Sequence, residues 1–340
     1  MTKKLNYNIC MLRVISALLV VMLHISQPLV SNYYLYGKEV WWGANLLNVL
    51  SRFAVPIFFM VSGALLLTKI EDPIKFYKNR FLNILIPFII WSFVLIVYKN
   101  AGDLTQISLK NSLIEIIQNQ VYFHLWFYYD LISIYILVPI MRKIIVALNE
   151  KELLFILVLW GVFNNIIPTM QFSFDFNIAI KNMFFVGNIG YFLLGYYLKT
   201  YVVERINLIK SGIIFVIGYV GSVILVYKSI YLDSGGVDQF FYSGNSAFIL
   251  IMSIGIFIFI NKIRFADNSI LKKLIIFLNG YTVGIYFLHP IIIDILIKFN
   301  ISIDRIPKFY GLIIIYLVVL SICLIIISIM KKIPFVKKVV

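Results

Sequence analysis

Apolar residues run along this chain in ten long blocks, separated by short polar connections. The blocks fall at 9–30, 50–68, 82–98, 122–141, 153–168, 183–198, 210–227, 246–261, 274–296 and 309–330. Most approach the roughly 17 to 25 residues that a helix needs to cross the hydrocarbon of a bilayer. The fourth and fifth are the weakest, being short or polar at one end. The pattern predicts an all-α polytopic membrane protein, a bundle of about ten transmembrane helices. The longest connections, 31–49, 99–121 and 229–245, are too small to be catalytic domains. The chain is therefore read as one membrane-embedded domain over 1–340, with no soluble domain, repeat or linker.

Composition agrees with the pattern and excludes a soluble enzyme. The chain is 62% hydrophobic and 13% charged, with a mean hydropathy of +0.96, whereas soluble domains are about half apolar and a quarter charged. Aromatic residues cluster at two block ends, Tyr33, Tyr34, Tyr36, Trp41 and Trp42 at one and Tyr122, Trp126, Tyr128 and Tyr129 at the other. Both are expected to lie at headgroup level. The first block contains Arg13 and lacks a small-residue cleavage site, so it is expected to be a span, not a cleaved leader. Cys10 and Cys323, at opposite ends of the chain, offer neither a disulfide framework nor a metal motif.

The net charge of +15 would suggest nucleic acid in a soluble protein. Here it reads as topology. With the N-terminus in the cytoplasm, twenty Lys and Arg fall in cytoplasmic segments and eight outside. Both termini are thus expected to be cytoplasmic by the positive-inside rule, with membrane lipids as the surrounding partner and no nucleic acid.

Two basic residues remain, Arg13 and Arg52, both inside expected spans. A charge at that depth costs about 2.5 to 3.5 kcal/mol, so it faces the bundle interior or snorkels to the headgroups. Arg13 lies only about one turn into its span, which keeps the snorkelling reading alive. It precedes His24 by eleven residues, which returns to within about 20° of the same helix face some 16 Å away. The three histidines, His24, His124 and His289, all fall toward the outer side in this topology, as does Arg52 at the start of the second span. Their common depth suggests a polar cavity, although a lone intramembrane histidine is as often a helix contact. Asp130, about two turns past His124, is expected to be a counter-ion for Arg52 or to orient a histidine. Asp294 is expected to be solvated at the boundary. Pro290 frees the carbonyl of Tyr286, and broken backbone of that kind is tolerated where it lines a cavity.

These residues carry a resemblance. Arg13-x10-His24 in the first block, Phe58-Phe59-Met60-Val61-Ser62-Gly63 in the second, His124-Leu125-Trp126-Phe127 with Tyr135 and Pro139, Gly190-Tyr191-Phe192-Leu193-Leu194-Gly195, and Ile285-Tyr286-Phe287-Leu288-His289 occur in order along nearly the whole chain. In this the chain resembles the acyltransferase-3 family of bacterial membrane O-acyltransferases, and in particular its short branch that acetylates cell-surface polysaccharides. The resemblance implies a multi-pass protein of the bacterial inner or plasma membrane. It would move an acyl group, usually acetyl, from cytoplasmic acyl-CoA to a hydroxyl of an extracytoplasmic or lipid-linked polysaccharide. No cofactor is permanently bound and no metal is involved; acetyl-CoA is the donor substrate. His24 and Arg13 become the catalytic pair, His24 as general base or transient acyl acceptor. Arg52, His124, His289 and Asp130 fall on the acceptor or oxyanion side, and Arg13 and Arg80 on the donor. Where relatives carry two arginines after the second span, Tyr77-Lys78-Asn79-Arg80 offers only Arg80, and the esterase-like domain of larger relatives has no counterpart here.

Two other classes fit ten helices with buried charge. A secondary transporter or exporter of a glycan or small molecule would place its polar residues at the midplane of inverted halves, and no such halves are visible. A structural or regulatory membrane partner would not need Arg13 and His24 on one face.

Overall fold

The computed structural model describes residues 6–118, 121–174, 187–232, 239–266, 269–301 and 309–340. Its described regular structure is helical throughout. Seven helices are long and apolar enough to cross a membrane: Tyr7–Ser31, Lys38–Leu66, Pro73–Lys99, Glu150–Phe174, Leu208–Ser229, Phe240–Lys262 and Tyr310–Met330. The pair Ile270–Asn279 and Thr282–Lys298, bent by 64°, makes an eighth if it is one span. The expected span at 122–141 is the 22-residue helix Trp126–Ala147, long enough to cross but carrying Asp130, Arg142 and Lys143. The expected span at 183–198 begins outside the described residues; from Ile189 it is the helix Ile189–Tyr197, running into a π turn at Leu198–Val202.

Residues 31–49, expected to be a loop, are largely the helix Lys38–Ser51, which starts after Gly37 at φ 78°. It continues through a break at Arg52 and Phe53 into the helix Ala54–Leu66. Pro56 explains the break, since it has no N–H to bond the carbonyl of Arg52 four residues earlier. Arg52 therefore sits in the middle of a long helical run instead of opening a span. The aromatic clusters are also not simple headgroup belts. Trp41 is fully buried and donates through Nε1 to the Val30 carbonyl at 3.1 Å. Tyr128 is buried between Phe88, Tyr286 and Phe287.

The first helix is the hub. Asn6 caps it, its side chain accepting from the Ile9 amide at 3.2 Å. It packs against Lys38–Ser51, Ala54–Leu66, Ala247–Lys262, Ile270–Asn279, Thr282–Lys298 and Phe309–Met330. The surface turned away from the core carries large exposed apolar side chains, among them Val146, Phe155, Ile217 and Ile325, which suits lipid. Inside, Ala54–Leu66 and Ile189–Tyr197 cross at backbone contact: a Cβ on Gly63 would overlap the Phe192 carbonyl, and one on Gly195 the Met60 carbonyl. Glycine at both points is what lets the two backbones meet. Two further π turns, Phe81–Leu85 and Val162–Ile166, precede Pro87 and Pro168. Each proline leaves an asparagine carbonyl, of Asn83 or Asn164, without its helical amide, and the wider register absorbs the loss.

Candidate active site

The three histidines, far apart in sequence, meet. His24 comes from the first helix, His124 from the 3₁₀ turn Phe123–Leu125 that leads into Trp126–Ala147, and His289 from the bent helix Thr282–Lys298. The His24 and His289 rings stack with centroids 5.3 Å apart, and His124 lies edge-on to His289 at 5.7 Å. Nδ1 of His289 faces the Ile285 carbonyl at 2.8 Å. A carbonyl only accepts, so Nδ1 carries a proton, and in the neutral ring Nε2 keeps its lone pair. That Nε2 and both ring nitrogens of His124 are buried without a hydrogen-bond partner among the described residues. Buried polar atoms are ordinarily satisfied, so three orphans together call for a ligand.

His24 and His124 line a cavity of about 740 Å³ that Arg52 also enters. The guanidinium is held by neutral groups: Nε donates to Asn48 Oδ1 at 2.7 Å, Nη2 donates to Gln27 Oε1, and the cation lies 4.5 Å over the Tyr242 ring. Asn48 is held in turn, donating to Ser26 Oγ at 2.9 Å. Gln27 lies three residues past His24, on the same helix face, so Arg52 is locked within a turn of the imidazole. Opposite, the stretch Tyr242–Asn245 is pinned from behind. Asn165 donates to the Gly244 carbonyl at 2.8 Å, the Tyr191 hydroxyl donates to it at 2.5 Å, and the Tyr242 hydroxyl donates to Asn45 at 2.7 Å.

Asp130 does not join Arg52 or a histidine. Its carboxylate accepts from Asn188 Nδ2 at 2.7 Å, and it is Asn188 that lines the cavity. The 3₁₀ turn at His124 breaks the helical phase between the two residues, so the separation in sequence does not bring them to one face. Asp294, expected to be solvated, instead accepts from the Tyr122 hydroxyl and lines the same cavity.

Arg13 and Arg80 come together elsewhere, in a neighbouring cavity of about 200 Å³ that Lys69 also lines. Neither arginine makes a hydrogen bond or a salt bridge among the described residues; Arg80 rests on the rings of Phe76 and Tyr135 at 5.3 and 5.8 Å and feels the Glu71 carboxylate only through space. Their segment is held from outside. Arg142 donates through Nε to the Leu66 carbonyl at 2.8 Å and pairs with Glu71 at 3.5 Å, while Asn79 donates to Glu71 at 3.0 Å. Burial alone would raise the Glu71 carboxyl, but the Asn79 donor and the Arg142 charge outweigh it and hold it below the ordinary value. Guanidinium groups so presented suit a phosphate-bearing ligand.

Among the described residues no three His, Cys, Asp or Glu side chains are arranged to hold a metal ion. Gln27, Asn188 and Tyr242 at the first cavity, Lys69 at the second, and Asn45 and Asn48, which hold Tyr242 and Arg52 from behind, are additions to the expected site. Asn45, Asn48 and Arg52 follow an i, i+3, i+7 spacing that would have shown one face had 38–51 been read as helix.

Comparison with curated proteins and with solved structures gives no match. A family model described as an acyltransferase domain matches residues 6–330, nearly the whole chain. This polytopic helical protein, with its three meeting histidines, belongs to the acyltransferase-3 family.

Proposed function

We propose that the protein is an O-acyltransferase. It moves an acyl group, acetyl in the first instance, from cytoplasmic acyl-CoA to a hydroxyl of an extracytoplasmic or lipid-linked surface polysaccharide. About ten spans, with both termini cytoplasmic in a bacterial cell membrane, put the arginine cavity on the donor side and the histidine cavity on the acceptor side. The observation that carries the reading is the pairing of these two cavities, one lined by Arg13, Lys69 and Arg80, the other by His24 and His124 beside a braced Arg52.

The chemistry follows from what each group can do. Arg13, Arg80 and Lys69 hold the phosphates of the donor. His24, which lines the cavity and makes no hydrogen bond among the described residues, accepts the proton of the acceptor hydroxyl as its oxygen attacks the thioester carbonyl. The C–S bond breaks, and the thiol leaves with a proton returned by the imidazole. Attack by His24 itself, with the acyl group later passed to the hydroxyl, uses the same geometry. Arg52, fixed by Gln27 and Asn48, offers its remaining N–H groups to the developing oxyanion, His124 completes the acceptor wall, and His289, stacked on His24, backs the imidazole.

The test compares surface-glycan O-acetyl content in a deletion strain expressing wild type, His24→Ala or empty vector at matched membrane levels. Acetyl ester with wild type that vanishes with His24→Ala supports the reading. Glycan unacetylated in all three rejects acetyl transfer to that acceptor and brings a transport function forward.

A further inference from the structure

Three side chains line both cavities: Phe58, Phe127 and Tyr286. They come from three different helices, Ala54–Leu66, Trp126–Ala147 and Thr282–Lys298. Phe58 and Phe127 lie with ring centroids 5.6 Å apart, as do Phe127 and Tyr286. The three rings form a wall one side chain thick, with the cationic cavity on one face and the histidine cavity on the other. They are not held alike. The Tyr286 hydroxyl donates to the backbone carbonyl of His124, and Tyr286 is buried, whereas Phe58 is only partly buried and Phe127 has no polar group to anchor it. Tyr286 is a fixed post; the two phenylalanines are held by packing alone.

From this we infer that the wall of Phe58, Phe127 and Tyr286 sets the length of acyl group the protein transfers, admitting short straight-chain acyl thioesters and rejecting longer ones. The inference rests on the acyl-transfer reading above. A group bound among Arg13, Lys69 and Arg80 reaches His24 only past these rings. The space they leave must open by rotation of phenylalanine side chains against a fixed tyrosine. Each added methylene lengthens what has to pass, and one methylene against an apolar wall changes discrimination by about ten- to two-hundredfold. A wall that serves only packing would respond to truncation by losing stability, with no change in donor preference.

The test uses the full-length protein in membranes that contain its native glycans, and follows thiol release from acetyl-CoA, butyryl-CoA and hexanoyl-CoA, with His24→Ala membranes as the blank. Wild type is expected to favour acetyl-CoA over butyryl-CoA by about tenfold or more. Phe58→Ala and Phe127→Ala are expected to lower that ratio by about tenfold and to admit hexanoyl-CoA. Should either alanine variant fail to accumulate, Phe58→Leu and Phe127→Leu carry the same test with less lost volume and an intermediate shift. An unchanged donor ratio in every variant that turns over acetyl-CoA overturns the inference, as does a wild type that prefers hexanoyl-CoA. Wild type that releases thiol from none of the three donors above the blank is a different result: it removes the acyl-transfer reading itself.

Discussion

In the histidine cavity the one guanidinium, Arg52, is braced by Gln27, Asn48 and the face of Tyr242, and Asn48 is itself held by Ser26. In the arginine cavity Arg13 and Arg80 make neither hydrogen bonds nor salt bridges among the described residues, aromatic rings lie beneath Arg80, and the Glu71 carboxylate that Arg142 already holds acts on Arg80 only through space. The first arrangement fixes a cation in advance with neutral dipoles, which leaves its charge available without reorganisation. The second leaves cations waiting for an anion to arrive. Preorganisation at one end and unmet charge at the other are what a site needs if it captures an anionic carrier and then reacts a group taken from it.

The sharpest way to break this contrast is kinetic. His24→Ala is expected to lower kcat for acyl-CoA turnover by about a hundredfold or more, the usual worth of a positioned proton acceptor, while leaving the KM for acetyl-CoA within a few-fold. Among the described residues His24 makes no hydrogen bond and its ring contacts are with Phe123 and His289, so the variant should accumulate normally. Arg13→Ala and Arg80→Ala should do the opposite. Each is expected to raise the KM for acetyl-CoA by about tenfold or more, the scale of one lost charge-assisted hydrogen bond, with a smaller change in kcat. Equal effects on both constants from all three variants would mean that the two cavities are one site.

A smaller effect separates positioning from charge. Asn48→Ala removes the acceptor of the Arg52 Nε–H while leaving the guanidinium in place. It is expected to lower kcat by about tenfold, one neutral hydrogen bond lost at a charged group, and to leave the KM for acetyl-CoA unchanged. A rise in that KM instead would place Arg52 on the donor path.

How much of this was readable in advance depended on whether a residue's neighbours were local. Arg13 and His24 share a helix, so their common face followed from 3.6 residues per turn, and the chain's helical, membrane-crossing character followed from composition. The meeting of His24, His124 and His289 required knowing how three helices pack, and depth along the bilayer normal gave only a hint. Asn45 and Asn48 were hidden by a different cause. The stretch 38–51 mixes lysine, glutamate and two buried asparagines with its tryptophans, so hydropathy placed it in a loop although its polar positions keep helical spacing. The Gly63 and Gly195 positions stood out as parts of family-like segments, but that they touch each other's helix backbone is a fact of packing.

The smallest prediction concerns the frame around the arginine cavity. Glu71 pairs with Arg142 and accepts from Asn79, and its carboxyl is held below the ordinary value near 4.5. A group whose folded value is depressed stabilises above its unfolded value, and that contribution is lost as pH falls through the folded one. The clamp should therefore be fully present at neutral pH and weaken only below about 4.5. Glu71→Gln keeps the acceptor for Asn79 and removes the charge opposite Arg142. It is expected to cost no more than about 1 kcal/mol of stability, seen as a small drop in thermal midpoint at pH 7 that shrinks as pH is lowered below about 4.5 and vanishes once the folded carboxyl is protonated. Because the clamp ties the segment bearing Lys69 and Arg80 to the Leu66 carbonyl through Arg142, the same variant should raise the KM for acetyl-CoA slightly, by about two- to threefold, without touching kcat. A change in kcat alone would show that the segment's position is felt at the histidines, and the separation between a preorganised end and a waiting end would then be less complete than the contacts suggest.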